Sequence, residues 1–184
     1  PVWLLELNAM PTDDRTILNT AQTLYGSYKL KRVYYSAFSP IPQSPSSVPS
    51  APPPLLREHR LYQADFLLRG YGFTAGELMP QAGNLALDID PQLAWALGNR
   101  DHFPLDLNRA DETMIARVPG IGLRSAKRLI DLRRLRRIRW ADLSRLRCSL
   151  KKLAPFVVTA DYKPAQGAAS SDLLRRNMAD APQQ

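Results

Sequence analysis

The sequence predicts a mainly α protein in which a compact helical hairpin unit follows an incomplete α/β piece. Three observations carry that expectation. Two helix-compatible segments, residues 111–117 and 123–134, flank the turn Val118-Pro119-Gly120-Ile121-Gly122. An amphipathic run at residues 15–30 is followed directly by a strand-like run at 31–40 that ends on proline. The basic residues are concentrated: residues 117–152 hold thirteen Lys or Arg against two acidic side chains, whereas residues 1–116 hold nine against twelve.

The amino-terminal elements come first. Ile17, Leu18, Ala21, Leu24 and Tyr25 recur at helical spacing and form one apolar face. A helix followed by a strand is half of an α/β unit. Such a unit needs neighbouring parallel strands, because a lone strand can neither satisfy its backbone ladder nor bury both faces. Only residues 2–7 offer a further candidate, so residues 1–38 read as an α/β remnant. Residues 39–54, rich in proline and serine, read as an extended linker, and residues 55–105 as a helical connecting region. The hairpin unit is expected over residues 106–157. A tail at 158–184, rich in Ala, Ser, Asp and Gln, is expected to be disordered apart from a short turn at 172–178.

The hairpin carries the chemistry. Asp111 is a good helix N-cap, with Met114, Ile115 and Val118 at helical spacing behind it. In the second segment Ala126, Leu129, Ile130 and Arg133 share one side, leaving the other faces cationic. Pro119 fixes one backbone angle, while Gly120 and Gly122 are expected to supply positive φ and close approach. Bare amides of Gly120, Gly122 and the next helical turn can then converge on one phosphate, aided by the helix dipole. The competing reading is a plain helix-to-helix turn with solvated arginines. The local net charge of +11 over residues 117–152 favours a polyanion. A membrane-surface helix fits less well, because residues 133–139 lack a large apolar face. A second hairpin is expected at residues 140–156, with Leu143, Leu146, Leu150 and Leu153 as its core side. It has no glycine at its break, where Arg147-Cys148 stands, and is expected to pack against the first.

The order of Asn108 and Ala110 before the first helix, Pro119-Gly120-Ile121-Gly122 at the turn, and Ala126 and Ile130 after it resembles the helix-hairpin-helix motif of DNA-binding proteins. The resemblance implies that hairpin amides and basic residues of the second helix hold phosphates without reading bases. The candidate DNA-binding residues are Pro119, Gly120, Ile121, Gly122, Arg124, Ser125, Lys127 and Arg128.

A wider resemblance covers residues 14–157. The runs from Arg32 to Pro42 and from Pro54 to Phe73 resemble a family of bacterial radical SAM proteins described as DNA modification or repair enzymes. It implies that the strand closes a partial α/β barrel, that Arg57, Glu58, His59, Tyr62 and Asp65 lie on a helix near substrate, and that a helix-hairpin-helix domain completes the chain. The full-length family binds an iron-sulfur cluster and S-adenosylmethionine through a Cys-x3-Cys-x2-Cys motif. This chain has a single cysteine, Cys148, so no cofactor and no independent catalysis are expected of it. His59 and His102 are the only histidines and suggest no metal site.

The expected function is therefore that of a DNA-backbone-binding carboxy-terminal portion of such a protein, with sequence-nonspecific phosphate binding. The alternative is an inactive fragment, or an interaction subunit whose hairpins pack against a partner protein. The expected partners are duplex DNA and a separate radical SAM amino-terminal half. One cysteine and the lack of a signal peptide or membrane span point to the cytoplasm.

Overall fold

The computed structural model describes residues 2–7, 12–37, 54–168 and 172–179. The described chain is mainly helical and divides into two compact units, residues 1–91 and 92–184. The proline- and serine-rich linker, apart from Pro54, lies outside the described residues, as does part of the tail.

In the first unit, strand β1 (Val2–Leu7), helix α1 (Asp14–Tyr28) and strand β2 (Arg32–Ala37) form a parallel βαβ unit. The register runs from Val2 opposite Arg32 to Leu7 opposite Ala37. The strand at 32–37 is therefore not alone: the apolar run at 2–7 is its neighbour. Asp13 caps α1 by accepting from the Thr16 amide at 2.9 Å, and the helix ends where Lys29 turns left-handed at φ 52. Ile17, Leu18 and Ala21 make its buried stripe. Helix α2 (Leu55–Tyr71) follows and stops at Gly72, whose φ of 70 suits a residue without Cβ. Leu61, Ala64 and Leu67 bury its inner side. A short helix α3 (Ala75–Leu78), with a Thr74–Glu77 capping box, completes the helices of this unit.

Charged side chains lie inside this unit. Asp65 has no exposure, and it accepts from the Tyr35 hydroxyl at 3.0 Å, from Arg69 Nε at 2.8 Å and from the Tyr25 hydroxyl. A buried carboxylate forfeits several kcal/mol of hydration, about what three charge-assisted donors can offset. The Asp14 carboxylate is likewise buried. It accepts from Arg57 Nε at 2.7 Å and from the Leu85 amide at 2.9 Å. Of the residues that the wider resemblance placed near a substrate, Arg57 and Asp65 are thus spent on internal pairing, His59 is exposed and Glu58 is half-buried. Tyr62 has a backbone role: its hydroxyl accepts from the Tyr35 amide and donates to the Tyr35 carbonyl, both at 3.0 Å.

The second unit begins at helix α4 (Pro91–Gly98) and a 3-10 turn at Arg100–His102. Strand β3 (Leu105–Asp106) leads into helices α5 (Glu112–Arg117), α6 (Leu123–Leu135), α7 (Trp140–Arg145) and α8 (Leu150–Leu153). Strand β4 (Val157–Val158) returns parallel to β3, with Leu105 opposite Val157 and Asp106 opposite Val158. This two-residue ladder fastens the end of the helical array to its start. Leu93, Leu107, Ile115, Leu129, Ile138 and Phe156 are the centre of the core. The segment expected to be a disordered tail from residue 158 is partly built into this unit. The Leu107 amide donates to the Val158 carbonyl at 3.1 Å, the Ala160 amide to Ile138 at 2.9 Å and the Tyr162 hydroxyl to Ala154 at 3.1 Å. Helix α9 (Asp172–Met178) buries Leu174 and Met178.

Two tests concern the Asp65 cluster. Burial, reinforced by the Asp65 carboxylate, pushes the Tyr25 hydroxyl up to about 12 and the Tyr35 hydroxyl upward as well. A pKa raised on folding stabilises fully below the unfolded value of about 10 and loses that contribution as pH rises through the folded one. Stability should fall between pH of about 10 and 12, and Tyr25→Phe should reduce that fall in urea titrations followed by circular dichroism. Asp65→Asn leaves Arg69 without its charge partner and should destabilise the first unit by about 3 kcal/mol; a loss under about 0.5 kcal/mol would show that the cluster is dispensable.

Candidate functional site

The turn between α5 and α6 is assembled from both sides. Asp111 caps α5 by accepting from the Met114 amide at 2.8 Å, as its sequence position suggests. Asn108 holds the frame: its Oδ1 accepts from the Ile138 amide at 2.7 Å and its Nδ2 donates to the Ile138 carbonyl at 3.3 Å. Arg133 donates from Nη1 to the carbonyls of Ala110 and Leu107, so this member of the basic run is a strut between α6 and the entry to α5. Ile115, Ala116, Val118, Pro119 and Ile121 are buried beneath the turn. The side chains of Pro119 and Ile121 therefore pack inward beneath the turn.

The two glycines divide the work differently from the expectation that both adopt positive φ. Gly120 alone does so, at φ 86. A Cβ on Gly120 would stand 3.0 Å from the Ser149 carbonyl oxygen, 3.1 Å from Ser149 Cβ and 3.2 Å from Lys152 Cβ. Its carbonyl accepts from the Ser149 amide at 3.2 Å. The close approach that Gly120 permits is thus to the second hairpin. Gly122 is extended, at φ −88 and ψ 161, exposed, and stands at the N-cap of α6. Its carbonyl opens the helical ladder by accepting from the Ala126 amide at 2.9 Å, but it has no side chain to cap the turn. Among the described residues, no acceptor meets the amides of Gly122, Leu123, Arg124 or Ser125. Four donors at the positive end of a 13-residue helix are thus without an acceptor among the described residues.

The flanking charges are available too. Arg124, Lys127 and Arg128 are exposed, and no carboxylate pairs with them among the described residues. Other members of the basic run are committed. Arg136 grips Asp142 with two bonds of 2.9 and 2.6 Å, and the hydrogen bond from Arg136 holds the Asp142 carboxyl below the usual carboxylate range. Arg134 lies 3.6 Å from Asp131. The Ser125 hydroxyl is committed: it donates to the Leu146 carbonyl at 3.3 Å and joins the two hairpins, which leaves its amide among the donors without an acceptor.

The second hairpin packs against the first, as its sequence suggests. Leu143 and Leu153 are fully buried, and Leu146 and Leu150 are half-buried. Where it lacks glycine, Arg147 itself takes positive φ, at 57. The arrangement tolerates this because the Cys148 amide donates to Leu143 at 3.0 Å and the Arg147 amide to Ser144 at 2.9 Å, closing the end of α7. Sequence reading had missed Ser149, whose backbone receives Gly120, and no local pattern marks it.

Cys148 is buried, and burial pushes its thiol upward. A single thiol cannot supply the three sulfur ligands that a radical SAM cluster takes, so the residues present do not fit that group. Among the described residues, no three His, Cys, Asp or Glu side chains converge on a metal position, and no helix is long and apolar enough to cross a membrane. Comparison with protein-family models, curated proteins and solved structures finds no match to this chain.

The glycine roles separate by substitution. Gly120→Ala combines strained φ with overpacking against Ser149 and should cost about 2 to 4 kcal/mol. Gly122→Ala keeps ordinary extended backbone and should cost under about 1 kcal/mol. Chemical denaturation of the two variants checks this ordering, and equal losses would contradict it.

Proposed function

We propose that the second unit is a helix-hairpin-helix module that binds the DNA backbone without reading base sequence. The observation that carries this reading is the uncapped start of α6, where among the described residues the amides from Gly122 to Ser125 lack acceptors and Arg124, Lys127 and Arg128 have no carboxylate partner. Amide donors at a helix N-terminus suit a phosphate oxygen, and three exposed cations add attraction that salt screens. In this reading Gly122, Arg124, Lys127 and Arg128 touch the backbone, while Pro119, Gly120, Ile121 and Ser125 hold the turn in shape.

The chain then acts as the DNA-gripping, carboxy-terminal portion of a radical SAM DNA modification or repair-type protein. Its βαβ unit stands as the remnant of that protein's barrel. Catalysis belongs to a separate amino-terminal half carrying the cluster and S-adenosylmethionine, and the compartment is a reducing cytoplasm in which Cys148 stays a thiol.

Fluorescence anisotropy with a labelled duplex at several salt concentrations tests the grip. Affinity should be nearly independent of base sequence and fall steeply with salt. Lys127→Ala should weaken binding and flatten the log–log salt slope by about one unit. Gly122→Val, which sets a branched side chain where phosphate would approach, should abolish most binding while circular dichroism still reports a folded protein. Arg176→Ala, at an exposed position of α9, should change little. Unchanged affinity in folded Gly122→Val would mean that the turn is structural. No duplex binding by the unsubstituted chain would favour the alternative of a fragment, or of a subunit whose hairpins engage protein.

A further inference from the structure

Where α1 and α2 end, the first unit holds a cleft of about 590 Å³. That volume is ordinary for a small-molecule site. Every residue of its wall is among the described ones. One of them, Lys31, immediately precedes β2, which puts the cleft at the amino end of the strand, whereas open α/β sheets take their ligands at the carboxyl ends. A barrel-type active site therefore does not account for it.

Three side chains of the wall are donors without a matching acceptor among the described residues. Arg69 is held at Nε by Asp65 at 2.8 Å, with its guanidinium 5.8 Å from the Tyr25 ring centre, and its two terminal nitrogens meet no acceptor. Gln22 spends Oε1 on the Ala75 amide at 2.6 Å, which fixes the side-chain amide and leaves Nε2 as a donor. Lys31 is exposed and has no carboxylate partner.

Acceptors on the wall are already used. The Tyr25 hydroxyl donates to Asp65 and accepts from the Val33 amide at 3.0 Å, so neither of its roles is open to a ligand. Helices α1 and α2 bring their carbonyl ends here, but the Leu24 and Leu67 carbonyls accept from the Leu30 and Phe73 amides, at 3.4 Å each. A wall of unmatched donors selects a ligand that only accepts, which is an anion.

Charge decides which anion. Buried Asp65 cancels Arg69, so among the described residues Lys31 supplies the uncompensated charge. A carboxylate matches it, and its two oxygens offer about four acceptor sites to the ammonium, amide and guanidinium donors. A phosphate monoester would bring nearly a second negative charge, for which the wall holds no cation. Leu30, Leu68 and Phe73 complete the wall with apolar surface, which suits the body of such a ligand rather than its head.

We infer that this cleft binds a small carboxylic acid, its carboxylate held by Gln22, Lys31 and Arg69 and its apolar body set against Leu30, Leu68 and Phe73. The site stands apart from the DNA reading, since it uses no residue of the second unit.

Amide chemical shifts of the isotope-labelled full chain, followed during titration with phenylacetate, test it. The amides of Gly26, Lys31 and Arg69 should shift together and saturate. Phenylacetate should bind about tenfold or more tightly than acetate, which has the charge without the body, or 2-phenylethanol, which has the body without the charge. Gln22→Glu keeps an acceptor for the Ala75 amide but turns the remaining donor into a carboxylate oxygen, and Lys31→Glu reverses the uncompensated charge. Each should weaken phenylacetate by about tenfold or more while circular dichroism still reports a folded protein. The comparison of ligands is made on the unsubstituted chain and holds whether or not a variant folds. No shift at about 10 mM phenylacetate, equal binding of acetate or of 2-phenylethanol, or undiminished binding by both folded variants would overturn the inference. So would shifts confined to the start of α6, which would assign the anion to the DNA site.

Discussion

The second unit depends on one contact made without a side chain. Gly120 meets the backbone of Ser149 so closely that a Cβ would stand 3.0 Å from its carbonyl oxygen, and the two residues exchange a hydrogen bond across the same point. Because Gly120 lies at the turn of the first hairpin and Ser149 at the start of α8, this contact sets how the two hairpins approach. Ser125 repeats the connection through the Leu146 carbonyl. With the turn pinned from behind, Gly122 is exposed at the start of α6, and among the described residues the amides from Gly122 to Ser125 meet no acceptor.

The same economy explains why so basic a segment folds. Thirteen like charges within residues 117–152 repel one another, and compaction alone would intensify that repulsion. Part of the charge is therefore turned to structural use. Arg133 braces the entry to α5, and Arg136 is neutralised by Asp142, which also accepts from the Arg139 amide at 2.9 Å. Arg124, Lys127 and Arg128 escape such use, and they cluster beside the uncapped helix start.

In the first unit the organising element is a buried anion. Asp65 gathers Tyr25, Tyr35 and Arg69 from α1, β2 and α2, so one carboxylate joins three elements that local hydrophobic pattern leaves independent. The tyrosines do double duty, since the Tyr25 hydroxyl that donates to Asp65 also closes the amide of Val33. Arg57, Tyr62 and Asp65, three of the polar side chains that the wider resemblance set beside a substrate, tie a small α/β layer together here, and buried charge such as that of Asp65 is tolerated only where it is paired.

Local chemistry was legible in the sequence. Periodicity gave α1 and its buried Ile17, Leu18 and Ala21; the N-cap preference of Asp111 gave the start of α5; and Pro119-Gly120 gave the turn. These features depend on neighbours within a few positions, so the sequence by itself determined them. Contacts between distant segments were not legible: the pairing of β1 with β2, the docking of residues 158–162, and the partners of Asp65 all join positions whose proximity no local rule encodes. The glycines mark the division most sharply. Sequence alone established that the turn needs residues without side chains, but only tertiary packing decided that Gly120 serves the neighbouring hairpin while Gly122 leaves the helix start open, because steric demand at a glycine is set by whatever backbone the fold brings against it.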